Sequence, residues 1–367
     1  MKKNKKLKAG KIEFYRFIFS IIIVLFHSVE HFQYHNNILF TNSFRFTFFA
    51  HGAIGVEFFF IVSGFLLALS IDKKEKRKKE IDESTIIKET YETLGKKIKS
   101  IFPQHIVAFI ISFICAVLYR KYNIQEIIRC LVGSIPQFFF LQGFGIKVND
   151  LYTNNPEWYI SAMLIGVILL YPVLRKNYEK YSKYYAPIIG LIVLGYLNST
   201  FGKISTTLVW NDFFVSGTLR AIGMMSFGVF SYEVVKFIDT KYKKESLTLF
   251  FVENICLILI IMYIISDLSI KYEVIVSLLI LMLVTLGFSK KTKFSKVFDN
   301  KIIYFLGKIS LTIYLTHLPA INLTKAYFSI YPFYQKVILT LIFTALFTII
   351  TTILGNKISK LLYKNDW

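Results

Sequence analysis

The first apolar block of the sequence contains two side chains that could take part in chemistry, Arg16 and His27, eleven residues apart. On a helix this spacing brings them to within about 20° of one face and separates them by about 16.5 Å. A guanidinium can bind a phosphate through two parallel hydrogen bonds, and an imidazole can accept a proton near neutral pH. We therefore predict an anion-binding end at Arg16 and a general base at His27, about midway across a membrane.

The alternative for each residue is an ordinary structural role. An arginine near the end of a membrane helix can extend to the lipid headgroups, and a neighbouring side chain can satisfy a histidine. His31 and His35 continue the face of His27 at intervals of four residues, and such a stripe can bind a transition metal when further ligands are within reach. Because this stripe runs towards an external loop, where histidines are readily solvated, we expect no metal.

The second apolar block adds two further candidates for catalysis, Glu57 and Ser63. Glu57 lies near the outer end of the block, and an ionisable group inside a span is a functional candidate because its burial is costly. Ser63 lies at mid-span beside Gly64. For these two small residues the alternative is close packing against a neighbouring helix.

The composition identifies the class of protein that must position these residues. Of the 367 residues, 54% are hydrophobic and 18% are charged, whereas a soluble domain has about 25% charged residues. This excludes a soluble two-domain enzyme, a disordered chain and a disulfide scaffold, and the three cysteines form no metal-binding or redox motif. Ten apolar blocks are long enough to cross a bilayer. They are 12–34, 52–71, 101–119, 157–174, 186–199, 216–237, 247–266, 272–289, 302–322 and 336–356.

The net charge of +21 indicates how the spans are oriented, because lysine and arginine accumulate on the cytoplasmic side of membrane proteins. Basic residues are concentrated in the N-terminus, 1–11, and in a predicted cytoplasmic loop over 72–100. A broken and polar block at 130–144 decides the topology, since all basic segments fall on one side only if that block is re-entrant. Basic residues that are split among short loops do not indicate a nucleic-acid partner.

We therefore predict an all-α polytopic membrane protein with about ten transmembrane helices plus one re-entrant segment. It would form a single domain over 1–367 in the lipid bilayer of the cell membrane, with both termini cytoplasmic.

Six motifs in chain order resemble the membrane-bound acyltransferase 3 family. They are the Arg16–His27 spacing, FFIVSGF at 59–65, IFP at 101–103, EWYISAML at 157–164, LRAIGMMSFGVF at 219–230 and LGKISLTIYLTH at 306–317. Each motif is weak alone, but the ordered set covers nearly the whole chain. Ser100 replaces a basic residue before IFP, and no glutamate follows Trp158 within a few residues. The second departure indicates the shorter capsule- and envelope-type branch, for which we expect no appended esterase domain.

The resemblance implies an integral-membrane O-acyltransferase that moves an acyl group, usually acetyl from cytoplasmic acetyl-CoA, to a hydroxyl of a cell-envelope or capsular glycan. The residues expected in catalysis are His27, Arg16, Glu57 and Ser63. Those expected to bind the CoA phosphates are Arg16, Lys96, Lys97 and Lys99. Those expected to bind the acceptor are Trp158, Tyr159, Arg220, Tyr314 and His317. His27 would act as a general base, or in a variant mechanism would be transiently acylated.

Four of these acceptor residues also have a structural alternative. Trp158 and Tyr159 could belong to an interfacial aromatic belt, Arg220 could extend to headgroups, and His317 could cap its helix. For the whole protein, the alternative is a transporter or flippase of a lipid-linked glycan. Such proteins often have repeated halves with paired broken helices, and the sequence shows no internal repeat.

Overall fold

The computed structural model describes residues 9–34, 38–41, 44–75, 82–146, 155–211 and 214–363. Within these ranges ten helices are long and apolar enough to cross a membrane, counting the helical turns that lead into three of them. This confirms the predicted all-α polytopic fold. The helices are α1 (Gly10–Phe32), α2 (Gly55–Glu75), α3 (Glu83–Arg120), α4 (Trp158–Lys176), α5 (Ala186–Phe201), α6 (Ser216–Lys241), α7 (Leu247–Ile264), α8 (Glu273–Phe288), α9 (Lys301–Tyr327) and α10 (Phe333–Leu362).

The connections contain little regular structure. Two antiparallel pairs of short strands lie between α1 and α2 and between α5 and α6. They are Ile38–Thr41 with Phe44–Phe46, and Trp210–Asn211 with Phe214–Val215. The turns Tyr178–Lys180 and Tyr181–Tyr185 lead directly into α5.

Glycines bring the two central helices α2 and α6 into contact. A Cβ atom added to Gly64 would overlap the carbonyl oxygen of Met225, and one added to Gly228 would overlap that of Ile61. A side chain at either position would therefore force the helices apart. Gly64 thus has the packing role that was the alternative for this segment.

The third helix begins earlier than predicted. Asp82 caps it by accepting a hydrogen bond from the backbone N–H of Thr85 at 3.2 Å, and the helix then runs for 38 residues. Residues 83–100 are therefore its first turns, and the prediction of a loop over the whole of 72–100 was wrong. The prediction rested on the charge of this segment, but charged residues are good helix formers when the helix extends beyond a membrane.

One basic residue of the N-terminal segment is also buried. Lys11 is 2% exposed and pairs with Glu253 of α7, whose second carboxylate oxygen accepts a hydrogen bond from Tyr15 at 2.9 Å. Lys11 therefore joins α1 to α7 and is not part of a free basic arm. Residues 1–8 of the predicted arm lie outside the described residues.

The chain turns back towards the interior after α3. Two short helices, Ile124–Gly133 and Ile135–Phe138, follow α3, and the carbonyl oxygen of Phe138 lies 3.2 Å from Nε2 of His105. His105 precedes the last residue of α3 by fifteen positions, which is about 22 Å along the helix axis. The segment therefore returns about 22 Å along α3 without completing a crossing, as the predicted re-entrant segment at 130–144 requires.

Hydrogen bonds hold this returning segment at that depth. The backbone N–H of Gly143 donates to Oγ of Ser161 at 2.8 Å, and the hydroxyl of Thr218 donates to the Gly143 carbonyl at 2.7 Å. Irregular backbone at membrane depth requires such internal partners. These bonds attach the segment to the first turns of α4 and α6, which contain Ser161 and Thr218.

Candidate active site

A cavity of about 230 Å³ lies between α1, α2, α3, α4 and α9. Its apolar lining residues are Val56, Phe59, Leu66, Ile101, Ile160, Met163 and Leu311. Its polar lining residues are Arg16, Ser63, Lys97, Ser100, Tyr159, Ser310 and Tyr314. Five residues predicted from separate motifs, namely Arg16, Ser63, Lys97, Tyr159 and Tyr314, therefore meet at one cavity.

Two cations, Arg16 and Lys97, line this cavity together. The ion pair of Arg16 is loose, since Nη1 lies 3.6 Å from Oε2 of Glu13. Its Nε is buried without a hydrogen bond among the described residues. The guanidinium therefore retains N–H groups that can donate hydrogen bonds to an anionic ligand. Lys97 adds a second positive charge on the facing helix, α3.

Of the three lysines predicted to bind the cofactor, only Lys97 lines the cavity. Lys96 and Lys99 are exposed, and the ammonium of Lys99 lies 5.4 Å from the ring centre of Tyr363. Successive residues of a helix are turned by about 100°, so these three lysines cannot all face one cavity. The prediction that they form a single binding cluster was wrong for this reason.

Two tyrosines, Tyr159 and Tyr314, also line the cavity. The rings of Tyr159 and Tyr314 meet edge to face, with centroids 5.6 Å apart. The hydroxyl of Tyr314 donates to the Pro156 carbonyl at 2.5 Å, and the hydroxyls of Tyr159 and Ser63 lie 3.4 Å apart. Ser63 has no hydrogen bond to a histidine or carboxylate within the described residues, so the geometry does not make it an activated nucleophile.

A pair of histidines lies beyond the tyrosines. The His317 ring is 5.7 Å from the ring of Tyr314 and stacks on the His27 ring at 5.1 Å with an angle of 23° between them. Nδ1 of His27 is 2.9 Å from Oε2 of Glu30, and Nδ1 of His317 is 2.6 Å from the carbonyl oxygen of Tyr314. Two histidines that are 290 positions apart in the sequence therefore form one site.

The contacts of the two Nδ1 atoms fix the tautomers of these rings. Both partners are oxygens that only accept hydrogen bonds, when Glu30 is ionised, so each neutral imidazole carries its hydrogen on Nδ1. Nε2 is then the basic nitrogen of both His27 and His317. Of these two rings, only His27 has a carboxylate at hydrogen-bond distance within the described chain, so His27 is the better candidate for a general base.

The same region brings together three residues that could hold a metal ion. Ligand atoms of His27, Glu30 and His31 lie within 4.8 Å of one another. However, the ammonium of Lys325 is 3.5 Å from Nδ1 of His31, and a neighbouring positive charge opposes the binding of a cation. His35, the last residue of the predicted stripe, lies outside the described residues.

Glu57 and Arg220 bind each other and not the cavity. Nε of Arg220 donates to Oε1 of Glu57 at 2.7 Å, its Nη2 pairs with Oε2, and both side chains are completely or almost completely buried. Nη1 donates further to the Thr206 carbonyl at 3.0 Å. A guanidinium with these partners is not available to an acceptor anion, and Glu57 is not a free base. Their predicted roles do not fit this structure.

Trp158 is also unavailable as a platform for a sugar. It is 5% exposed and lies between the Arg220 guanidinium, 5.5 Å from its ring centre, and the Phe60 ring at 6.0 Å. An open aromatic face is needed for stacking on a ligand. Trp158 instead supports Tyr159, the next residue, which does line the cavity.

Three charged or titratable residues near the site were not predicted from the sequence. Glu30 orients His27, and His105 pairs with Glu157, with 3.2 Å between Nδ1 and Oε1 and no exposure of either side chain. His105 lies in the third apolar block, so the criterion that selected His27 could also have selected it. Glu157 was part of a recognised motif but was not assigned a role.

Fold and site together define a polytopic membrane protein with a cation-lined cavity that ends near a histidine pair. A sequence model described as an acyltransferase domain, that of the acyltransferase 3 family, matches residues 10–356. The chain belongs to this family, and the resemblance seen in the sequence motifs is confirmed.

Curated relatives occur in Staphylococcus aureus strains COL, MSSA476 and MRSA252, where each carries the name "Putative O-acetyltransferase". The chain is 22% identical to each over 325 residues, which cover 80% of this chain and 51% of the relative. The chain therefore spans about half the length of these relatives. No solved structure matches it at a significant level.

Proposed function

We propose that this chain is an integral-membrane O-acyltransferase that moves an acyl group, in the simplest case acetyl, from cytoplasmic acyl-CoA to a hydroxyl of a cell-envelope glycan. The observation that carries the proposal is that Arg16, Lys97 and Tyr314 line one cavity, while Tyr314 contacts the His317 ring and His317 stacks on His27. This combination of cations and imidazoles suits a donor with phosphates at one end and a thioester at the other. Family membership supports the same reaction class.

The donor would enter with its phosphates at Arg16 and Lys97. Arginine can contact a phosphate with two parallel hydrogen bonds, while lysine contributes a point charge. The apolar walls between these cations and the tyrosines suit the pantetheine arm. The thioester would then reach the end of the cavity at Tyr159 and Tyr314, near the histidines.

His27 would act as the general base of the transfer. As the acceptor hydroxyl attacks the thioester carbonyl, its proton passes to Nε2 of His27, the new C–O bond forms and the C–S bond breaks. The departing thiolate takes up a proton, so acyl-CoA and alcohol give ester and CoA thiol. Glu30 would stabilise the imidazolium through its 2.9 Å contact with Nδ1. Attack by Nε2 on the thioester, giving an acylated His27, is the variant to be distinguished.

The direction of transfer follows from the proposed orientation, with both termini and the Arg16 end of the cavity in the cytoplasm. The three natural cysteines are buried, so single cysteines can be introduced at exposed positions. Lys121, after α3, would be external, whereas Lys183, before α5, would be cytoplasmic. An impermeant thiol reagent should label Lys121→Cys in intact cells and Lys183→Cys only after lysis. The reverse pattern would overturn the orientation.

Radiolabelled acetyl-CoA tests the proposed activity directly. Membranes that contain the protein should incorporate base-labile label into an envelope glycan. His27→Ala membranes should not, and Lys96→Ala membranes should match the wild type because Lys96 is exposed outside the cavity. Equal labelling of wild-type and His27→Ala membranes would contradict the proposal. A flippase would instead show altered glycan export without any transfer of label.

A further inference from the structure

His317 has a buried nitrogen that the proposed function does not yet use. Its side chain is fully buried in α9, and Nδ1 donates to the carbonyl oxygen of Tyr314 at 2.6 Å. Nε2 is buried without a hydrogen-bond partner among the described residues. A buried polar atom without a partner is costly and is commonly part of a ligand site. With the hydrogen held on Nδ1, Nε2 can only accept a hydrogen bond from such a ligand.

We propose, on the basis of the proposed function, that Nε2 of His317 accepts a hydrogen bond from a second donor group of the acceptor, adjacent to the hydroxyl that reacts. The acceptor would then be held by two neighbouring groups, one at His317 and the other at His27. This describes a polyol such as a sugar ring, with adjacent hydroxyls or a hydroxyl beside an amide N–H. A simple alcohol would lack the second contact.

The position of His317 supports this division of roles. Its ring stacks on His27 at 5.1 Å, so the two rings are close enough for one acceptor molecule to contact both. Two stacked imidazolium ions at this spacing would repel each other, so the two rings suit different roles. Of the two, only His27 has a carboxylate partner, Glu30, at hydrogen-bond distance among the described residues. We therefore assign the role of base to His27 and the role of holding the acceptor to His317.

Two substitutions separate the roles of the two nitrogens of His317. In His317→Gln, the longer side chain can place its amide oxygen where Nε2 lies, so the contact with the acceptor is kept. In His317→Asn, the amide nitrogen takes the place of Nδ1 and can still donate to the Tyr314 carbonyl, but no atom remains at the Nε2 position. A purely structural role would therefore be preserved by asparagine, and an acceptor-binding role by glutamine.

The assay is transfer of labelled acetyl from acetyl-CoA to the glycan of native membranes. We expect His317→Gln to stay within about tenfold of the wild type and His317→Asn to fall by on the order of 10²-fold, as when one aligned hydrogen bond to a reacting molecule is lost. The KM for acetyl-CoA should be unchanged in both variants. The pH dependence of His317→Gln should keep the shape of the wild type, because His27 remains the base.

Four results would overturn this inference. Full activity in His317→Asn with loss in His317→Gln would assign His317 to the support of Tyr314. A raised KM for acetyl-CoA in His317→Asn would make the pantetheine amide the donor to Nε2. A changed pH profile in His317→Gln would make His317 itself a base. If both variants lost transfer while still binding acetyl-CoA as the wild type does, an accepting atom at the Nε2 position would not be sufficient for transfer, and the proposed hydrogen bond to the acceptor would be refuted. Absence of transfer by the wild type would count against the proposed function instead.

Discussion

Arg16→Lys tests whether the cation end of the cavity anchors the acyl donor. The substitution keeps the charge but replaces a planar fork of donors by a single ammonium, so one of two parallel hydrogen bonds to a phosphate is lost. A hydrogen bond to a charged group is worth about 1.5–3 kcal/mol. The Arg16 side chain is 29% exposed, so we take the lower end, about 1.5 kcal/mol, which corresponds to roughly tenfold weaker binding.

The effect should fall on binding and much less on the chemical step. Arg16 and His27 are eleven residues apart on α1, which is about 16.5 Å, so Arg16 is too distant to touch the thioester carbon. Calorimetry with acetyl-CoA and the purified protein should show the tenfold rise in Kd, and initial rates should show a raised KM for acetyl-CoA with an unchanged acceptor dependence. A fall in kcat alone, or a change only in the KM for the acceptor, would refute this reasoning. Arg16 would then organise the histidine site.

Three further predictions follow from the same geometry. Lys97→Ala should raise the KM for acetyl-CoA several-fold in the labelled-transfer assay, whereas Lys96→Ala should leave it unchanged. Equal effects of the two substitutions would mean that the position of Lys97 in the cavity is not what binds the donor. His27→Ala should lower transfer by about 10²–10⁴-fold with normal membrane insertion, and retained glycan labelling would remove His27 from the mechanism. Glu57→Gln leaves Arg220 as a buried unpaired charge, a change that costs about 3–5 kcal/mol. It should lower the midpoint of thermal unfolding in detergent, and an unchanged midpoint would contradict the structural role of the pair.

The sequence was sufficient to predict the membrane-spanning helices and the face of α1 that carries Arg16 and His27. Apolar blocks of about 20 residues identify membrane helices because the bilayer core sets their length, and the break at 130–144 was recognisable from its glycines and glutamines. The face shared by Arg16 and His27 required only helix geometry. These features depend on local sequence, and the structure agrees with them.

The partners of buried polar residues could not be read from the sequence. Glu57 and Arg220 were both selected because ionisable groups in spans are costly, but that criterion does not show that the two neutralise each other 163 positions apart. The same limit applies to Trp158, whose burial depends on Arg220 above its ring. Only the packing of α2 against α6 and α4 decides which ionisable side chain faces the cavity and which one pairs with another ionisable side chain.

The proposed function requires that substrates from two sides of a bilayer meet at one site, and the depth of the histidine pair bears on this requirement. His27 precedes the end of α1 by five residues, and His317, on which it is stacked, precedes the end of α9 by ten, so the pair lies about 7.5 to 15 Å below the ends of these helices. In the proposed orientation an acceptor from outside must descend by that distance. The described part of the segment after α3 returns about 22 Å along that helix. Pro156, just before α4, holds Tyr314 beside His317 through its carbonyl oxygen. Under the proposed function, a donor bound at Arg16 from the cytoplasm and an acceptor bound at the histidines from outside would react without either of them crossing the membrane.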